Sequence, residues 1–267
     1  MLEQAHSFAD IAASARPLLF VMPRLLPIML IMPVFNEQIV TGLVRNGLAV
    51  VIAAFVAPVI DPASVVDLPF LVWCVLAAKE AVIGLLLAGA MGAVLFAIQG
   101  IGYLIDFQTG SGNAAFFDPM GGHESGPTSG FLNYVAIVLF VTAGGLQMIV
   151  QLFAQSYTWW PVAEMAPNLS SMLSTFVVRQ TDTVFVWMVK LSAPVVIVLV
   201  LVEAGIGLIG RAVPQLNVFT FSQPVKSALA MLMMVLFMPL VYQTLHAQLN
   251  PDTGLVGMLR ALMGGAH

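Results

Sequence analysis

Three stretches of this chain contain no Asp, Glu, Lys or Arg: residues 81–105, 125–163 and 227–251. Each is longer than the roughly 20 residues a helix needs to cross the hydrocarbon of a bilayer. A soluble reading fails on charge. Only 8% of the 267 residues are charged and 60% are hydrophobic, whereas about a quarter of a soluble domain is charged. Lipid or partner protein must cover the surplus apolar surface. The net charge of -4 comes from scattered acids, so there is no basic patch for nucleic acid and none is expected as a partner.

Apolar segments run over about 17–35, 38–60, 68–105, 131–155, 183–210 and 226–249, each bounded by Pro, Gly or a charge. They are apolar on both would-be faces, without barrel alternation, and in lipid only helices then satisfy the backbone. The expectation is an all-α membrane protein of six or more long apolar helices. Pro17, Pro23, Pro27 and Pro33, with Arg16 and Arg24, predict a first segment that is kinked and packed on protein. The 68–105 run is too long for one span, so it breaks or projects beyond the bilayer. Gly84, Ala88 and Gly92 mark a helix face that another backbone can approach. Cys74, the one cysteine, reads as a small buried hydrophobe. The first ten residues hold Glu3 and Asp10 but no Lys or Arg, so the apolar N-terminal segment is expected to stay in the mature protein. The nine basic residues are too dispersed to assign sidedness.

Lys79 and Glu80 lie inside an apolar run, where an ionised side chain needs protein or water around it. As sequence neighbours they point to different sides of a helix, which predicts that they pair with other elements rather than each other. The connector FQTGSGNAAFFDPMGGHE, residues 107–124, combines glycines with Phe116, Phe117 and Met120. Glycines give such a segment conformational freedom and the aromatics give it something to bury, as a plug or gate requires. A solvent loop with a hydrophobic anchor is the plainer alternative. Tyr157, Trp159 and Trp160 fit an interfacial belt or core packing.

Enzyme signatures are weak. Gly205, Gly207 and Gly210 spell GxGxxG without the acid a dinucleotide fold needs about 20 residues on. Ser129 in GPTSG lacks the preceding glycine of a nucleophile turn, and His6, His123, His246 and His267 are scattered. His123-Glu124 is too small a donor set for a metal. The expectation is a non-enzyme without metal or cofactor.

Four blocks taken in order resemble the SctT/FliR family, the export-gate subunit of bacterial type III secretion: KEAVIG at 79–84, GYLIDFQTG at 102–110 followed by Asp118-Pro119, SYTWWP at 156–161, and RAVPQLNVFTFSQPVKS at 211–227. The resemblance spans most of the chain, and the forms SYTWWP and FSQPVKS are nearer the injectisome branch. It implies one export-gate membrane domain, residues 1–267, with helices arranged as hairpins in a helical assembly. Residues 1–178 would hold the plug connector, 107–124, and residues 179–267 an SctS-like hairpin and tail. The resemblance also implies a pore plug at Phe107, Gly110, Gly112, Phe116, Phe117, Asp118, Pro119, Met120, Gly121 and Gly122. Intramembrane polar or subunit-contact positions would be Lys79, Glu80, Asp106, Gln108, Glu203, Arg211, Pro214, Gln215, Asn217, Phe219, Pro224 and Lys226. The implied partners are SctR-like and SctS-like subunits, an SctU-like switch protein, an SctV-like export-gate ring, membrane lipid and unfolded secreted cargo, at the bacterial inner membrane. The competing class is a secondary transporter using Lys79, Glu80, Asp106 and Glu203 at the midplane.

Overall fold

The computed structural model describes residues 18–59, 69–111, 126–162, 169–213 and 218–249. Helix and turn account for their regular structure; no strand occurs among them. Helix α1, Leu18–Ile31, continues through Pro23 and Pro27 and gives way to a 3-10 turn at Pro33–Phe35. The two prolines stand four residues apart, so the missing N–H groups fall on one side of the helix and its other face stays intact. That other face carries Phe20, Val21, Arg24, Leu25, Ile28 and Met29, all buried, at the spacing of a single helical stripe. Leu19, Leu26 and Leu30 face outward.

Helix α2, Gly42–Val56, ends in a short 3-10 turn, Ala57–Val59. Helix α3, Phe70–Thr109, is continuous over 40 residues. Its 40 residues are more than the roughly 20 that cross the hydrocarbon, and of the two alternatives for the long run, a break is not seen in the helix. The apolar segment expected over 131–155 is instead two helices, α4 (Pro127–Thr142) and α5 (Gly145–Trp159). Gly144, at φ 86°, ends the first and opens the second, a left-handed backbone that glycine adopts without strain. Helix α6, Leu169–Ala212, contains Pro194, and α7, Val218–Leu249, contains Pro224 and Pro239. The GxGxxG glycines lie inside α6, which excludes a phosphate-binding turn at those residues.

The described residues include four helices long and apolar enough to span a membrane, or five if α4 and α5 form one broken span. The expected count of six or more long apolar helices is therefore too high. Two physical causes account for it: α1 ends after Ile31, short of a span, and the Ala143-Gly144 break divides the fourth block. The all-α membrane class itself holds.

Two compact units divide the chain. The described residues of the first fall within 18–92 and 144–180. Its interior includes the α1 stripe with Ile83, Leu87 and Ala88 of α3 and Ile149, Leu152 and Phe153 of α5. Gly84 packs directly on the backbone of Arg24, so a Cβ there would run into the Arg24 carbonyl. Gly84 and the fully buried Ala88 thus form the close-packing face expected from their spacing. Residues 93–143 and 181–254 make up the second unit, described as far as 249. There Leu95, Ile98 and Ile105 of α3, Ala136 and Phe140 of α4, Leu199 of α6 and Leu245 of α7 are buried. Ile197, Leu201 and Leu208 of α6 and Met231, Val235 and Leu236 of α7 are exposed.

Candidate functional site

In the first unit, Arg24 is fully buried and forms an ion pair through Nε with the equally buried Glu80 Oε2. Its Nη1 donates to Ser156 Oγ at 2.9 Å and its Nη2 to the Trp160 carbonyl at 2.9 Å. The guanidinium lies 3.9 Å above the Tyr157 ring. Lys79 Nζ donates to the carbonyls of Pro161, at 3.2 Å, and Val162, at 2.9 Å. It also lies 3.0 Å from Glu80 Oε1, as an ion pair without hydrogen-bond alignment. Lys79 and Glu80 do therefore touch, contrary to the expectation from helix geometry. A long lysine stem can swing its head back past its neighbour, which Cβ directions alone do not register.

This cluster supplies two cations where α5 ends, at the carbonyls of Trp160, Pro161 and Val162. Cations there offset the negative end of the helix dipole and satisfy carbonyls that have no partner within the helix. Tyr157 is 5% exposed and packs edge-on to Phe153, so it belongs to the core and not to an interfacial belt.

The base of the central connector lies in the second unit. Asp106, 2% exposed, sits one turn before the C-terminus of α3. Oδ1 accepts from the Thr128 N–H at 3.0 Å and from Ser111 Oγ at 3.1 Å, and Oδ2 accepts from the Ser129 N–H at 2.8 Å. Thr128 and Ser129 follow Pro127, the first residue of α4. Proline has no N–H to satisfy, and Asp106 takes the next two, a cap supplied from 22 and 23 residues away instead of from the usual preceding side chain. Its negative charge also suits a helix N-terminus. Two glycines permit the approach: a Cβ on Gly126 would meet the Asp106 carboxyl, and a Cβ on Gly102 would meet the Ser129 backbone.

Helix α3 ends beside this cap. Gly110, at φ 74°, donates its N–H to the Phe107 carbonyl at 3.2 Å and packs against the Gln223 side chain. Lys226 Nζ, on α7, lies 3.4 Å from the Gln108 carbonyl and 3.1 Å from Glu203 Oε2. A cation at the end of α3 complements its dipole.

The structure thus brings Asp106, Gln108, Gly110, Glu203 and Lys226 into one region and puts Lys79 and Glu80 in the first cluster. Phe107 is 79% exposed. Arg211 is exposed in the last turn of α6 and Pro224 is exposed within α7. Phe219 lies in α7. Gly112, Phe116, Phe117, Asp118, Pro119, Met120, Gly121, Gly122, Pro214, Gln215 and Asn217 fall outside the described residues, as does His123-Glu124. Sequence reasoning missed Arg24 as the partner of Glu80, although a cation within an apolar stripe carried the signal. It also missed Thr128 and Ser129, because GPTSG was weighed only as a nucleophile turn and not as a proline-led helix start.

The profile described as bacterial export proteins, family 1, matches residues 16–251. The chain belongs to this family. It is 30% identical to the Yop proteins translocation protein T of Yersinia pestis over 83% of this chain and 87% of that protein. It is 32% identical to the surface presentation of antigens protein SpaR of Salmonella typhimurium, over 80% of each chain. Against the flagellar biosynthetic protein FliR of Pectobacterium carotovorum the identity is 30%, over 82% of each. This membership, with its long apolar helices, makes the chain a multi-pass membrane protein of bacterial type III export. The blocks that carry the resemblance contribute residues to both clusters. KEAVIG supplies Lys79, Glu80 and Gly84, and SYTWWP supplies their partners around Arg24. GYLIDFQTG supplies Asp106, Gln108 and Gly110, and FSQPVKS supplies Gln223 and Lys226.

Proposed function

We propose that this chain is a non-enzymatic structural subunit of the export gate of a type III secretion system, of the injectisome branch, at the bacterial inner membrane. The connector 107–124 is its plug, with Phe116, Phe117 and Met120 closing the channel for unfolded cargo. Residues 179–267 form the SctS-like hairpin that meets SctS-like and SctR-like subunits; of the residues expected at its turn, Pro214 and Gln215 fall between α6 and α7 in the sequence, whereas Phe219, Pro224 and Lys226 belong to α7 itself. An SctU-like switch protein and an SctV-like ring complete the assembly.

The observation that carries this reading is the fastening of the connector at both ends, by Asp106 to the start of α4 and by Lys226 and Gln223 to the end of α3. Fixed ends suit a segment that must hold a barrier. The transporter reading needs intramembrane charges free to bind solute or protons. Here Glu80 is occupied by two cations and Asp106 by two backbone N–H groups. The test is substitution of Phe116, Phe117 and Met120 together by Ser in cells that make the whole apparatus. Ion leak across the inner membrane with normal assembly is the expected result. A tight membrane with normal assembly sinks the plug assignment.

A further inference from the structure

We infer that Asp106 is a positioning residue of the gate, the single carboxylate that fixes where the connector leaves α3 and where it returns into α4. The inference rests on the plug reading and adds to it the group that holds together the two helix ends the connector joins.

Three donors converge on this side chain: the Thr128 N–H, the Ser129 N–H and the Ser111 hydroxyl. Ser111 belongs to the departing end of the connector, and Thr128 and Ser129 to the returning end. A carboxylate offers each of them an acceptor, one oxygen to Thr128 and Ser111 and the other to Ser129. An asparagine of the same shape turns an NH2 group toward one of them. Burial makes the demand strict, because at 2% exposure no water replaces a lost acceptor. The local backbone is also committed to this contact, since Gly126 and Gly102 leave no room for a Cβ on either side of it. Thr109 Oγ lies 3.2 Å from the Asp106 carbonyl and 2.7 Å from Ser111 Oγ, and with Ser111 donating to Asp106 Oδ1 it donates to one of these two. The last turn of α3 is therefore tied to the same residue.

Lys226 is the second fastening, on the departing end alone. Release of Lys226 would loosen the end of α3 but leave the return into α4 held. Loss of Asp106 frees the return into α4 and the Ser111 contact together, while Lys226 still holds the Gln108 carbonyl. The two residues thus differ in predicted effect although both are buried charges in one region.

The experiment uses the full apparatus in its own membrane. It compares Asp106→Asn, Asp106→Ala and the triple Phe116→Ser, Phe117→Ser, Met120→Ser variant, reading ion leak per assembled complex and the amount of co-purified partner subunits. The expected result is leak in Asp106→Ala as large as in the triple variant. Asp106→Asn, which loses charge-assisted hydrogen bonds, is expected to leak roughly tenfold above the unaltered protein. Leak in the triple variant with both Asp106 variants tight overturns the positioning role and leaves the plug reading standing. Tight membranes in all three overturn both. Leak from the Asp106 variants with a tight triple variant overturns the role as stated, because Asp106 would then govern some other barrier. If Asp106→Ala reduces assembly, Asp106→Asn decides: leak per complex above the unaltered protein supports the role, and no change overturns it.

Discussion

Replacing Glu80 by Met leaves the Arg24 guanidinium buried without its counter-charge. Arg24 keeps Ser156 Oγ, the Trp160 carbonyl and the Tyr157 ring, so it is still hydrogen-bonded but no longer neutralised. With Lys79 close by, two cations then share a dry site that holds no anion within the cluster. Breaking a buried ion pair by removing one partner costs about 3–5 kcal/mol. Arg24→Met is in the same range, since it strands Glu80 with Lys79 as its only counter-ion and leaves the Trp160 carbonyl with its Arg24 bond lost. The double variant Arg24→Met, Glu80→Met removes both charges together. What remains is the loss at the Trp160 carbonyl, about 1–3 kcal/mol, together with the lost cation–π contact on Tyr157 and a Lys79 that keeps only its carbonyl partners, while Ser156 Oγ keeps its hydrogen bond to the Phe153 carbonyl at 2.6 Å; no charge is left stranded in the fully buried position of Arg24 or Glu80. The double variant should therefore be more stable than either single one. The assay is the temperature at which the detergent-extracted assembly loses this subunit, measured for all four combinations. Losses that simply add, with the double variant the least stable, would refute the argument that pairing rather than packing holds these residues.

Other outcomes follow from neighbouring contacts. Gly84→Ala should lower the same transition markedly, by displacement of α1 from α3, whereas Gly89→Ala, which has open space around it, should raise it slightly through helix propensity of about 0.5–1 kcal/mol. Tyr157→Phe should be neutral or mildly stabilising, because the buried hydroxyl has no hydrogen-bond partner and the ring remains beneath Arg24, while Tyr157→Leu should lose about 0.5–2 kcal/mol of cation–π attraction. Lys226→Met should destabilise more than Glu203→Gln, since Lys226 is buried and also serves the Gln108 carbonyl while the Glu203 side chain is 60% exposed. Thermal transitions of the extracted assembly check all three, and a Tyr157→Phe variant as damaged as Tyr157→Leu would show that the hydroxyl is bonded after all.

How much of this was legible in the sequence depends on the range of the signal. Charge-free runs of spanning length announce membrane helices, because the bilayer imposes a length and a polarity that composition records directly. The ends of elements are less visible. Pro23 and Pro27 suggested disruption, yet their four-residue spacing confines the damage to one side of α1 while Arg24 and its apolar neighbours pack on the other. Conversely, the Ala143-Gly144 break lies inside a run with no charge or proline to mark it, and only the left-handed backbone of Gly144 makes the division.

The partners of the polar residues were the least legible part, because they are far apart in sequence. Glu80 and Asp106 could be singled out as carboxylates that lipid would not tolerate, but nothing near either names what satisfies it. Glu80 is answered 56 residues back by Arg24, and Arg24 in turn reaches 132 residues forward to Ser156. The same physics explains why the recognisable blocks come in pairs. Each buried charge in one block meets groups of another, many of them backbone, so KEAVIG is tied through Arg24, Glu80 and Lys79 to SYTWWP, and GYLIDFQTG through Asp106 and Lys226 to GPTSG and FSQPVKS. Four short motifs scattered over 149 positions, from Lys79 to Ser227, thereby reduce to two interlocks. One holds the end of α5 in place, and the other fastens the connector that the gate reading requires to be held.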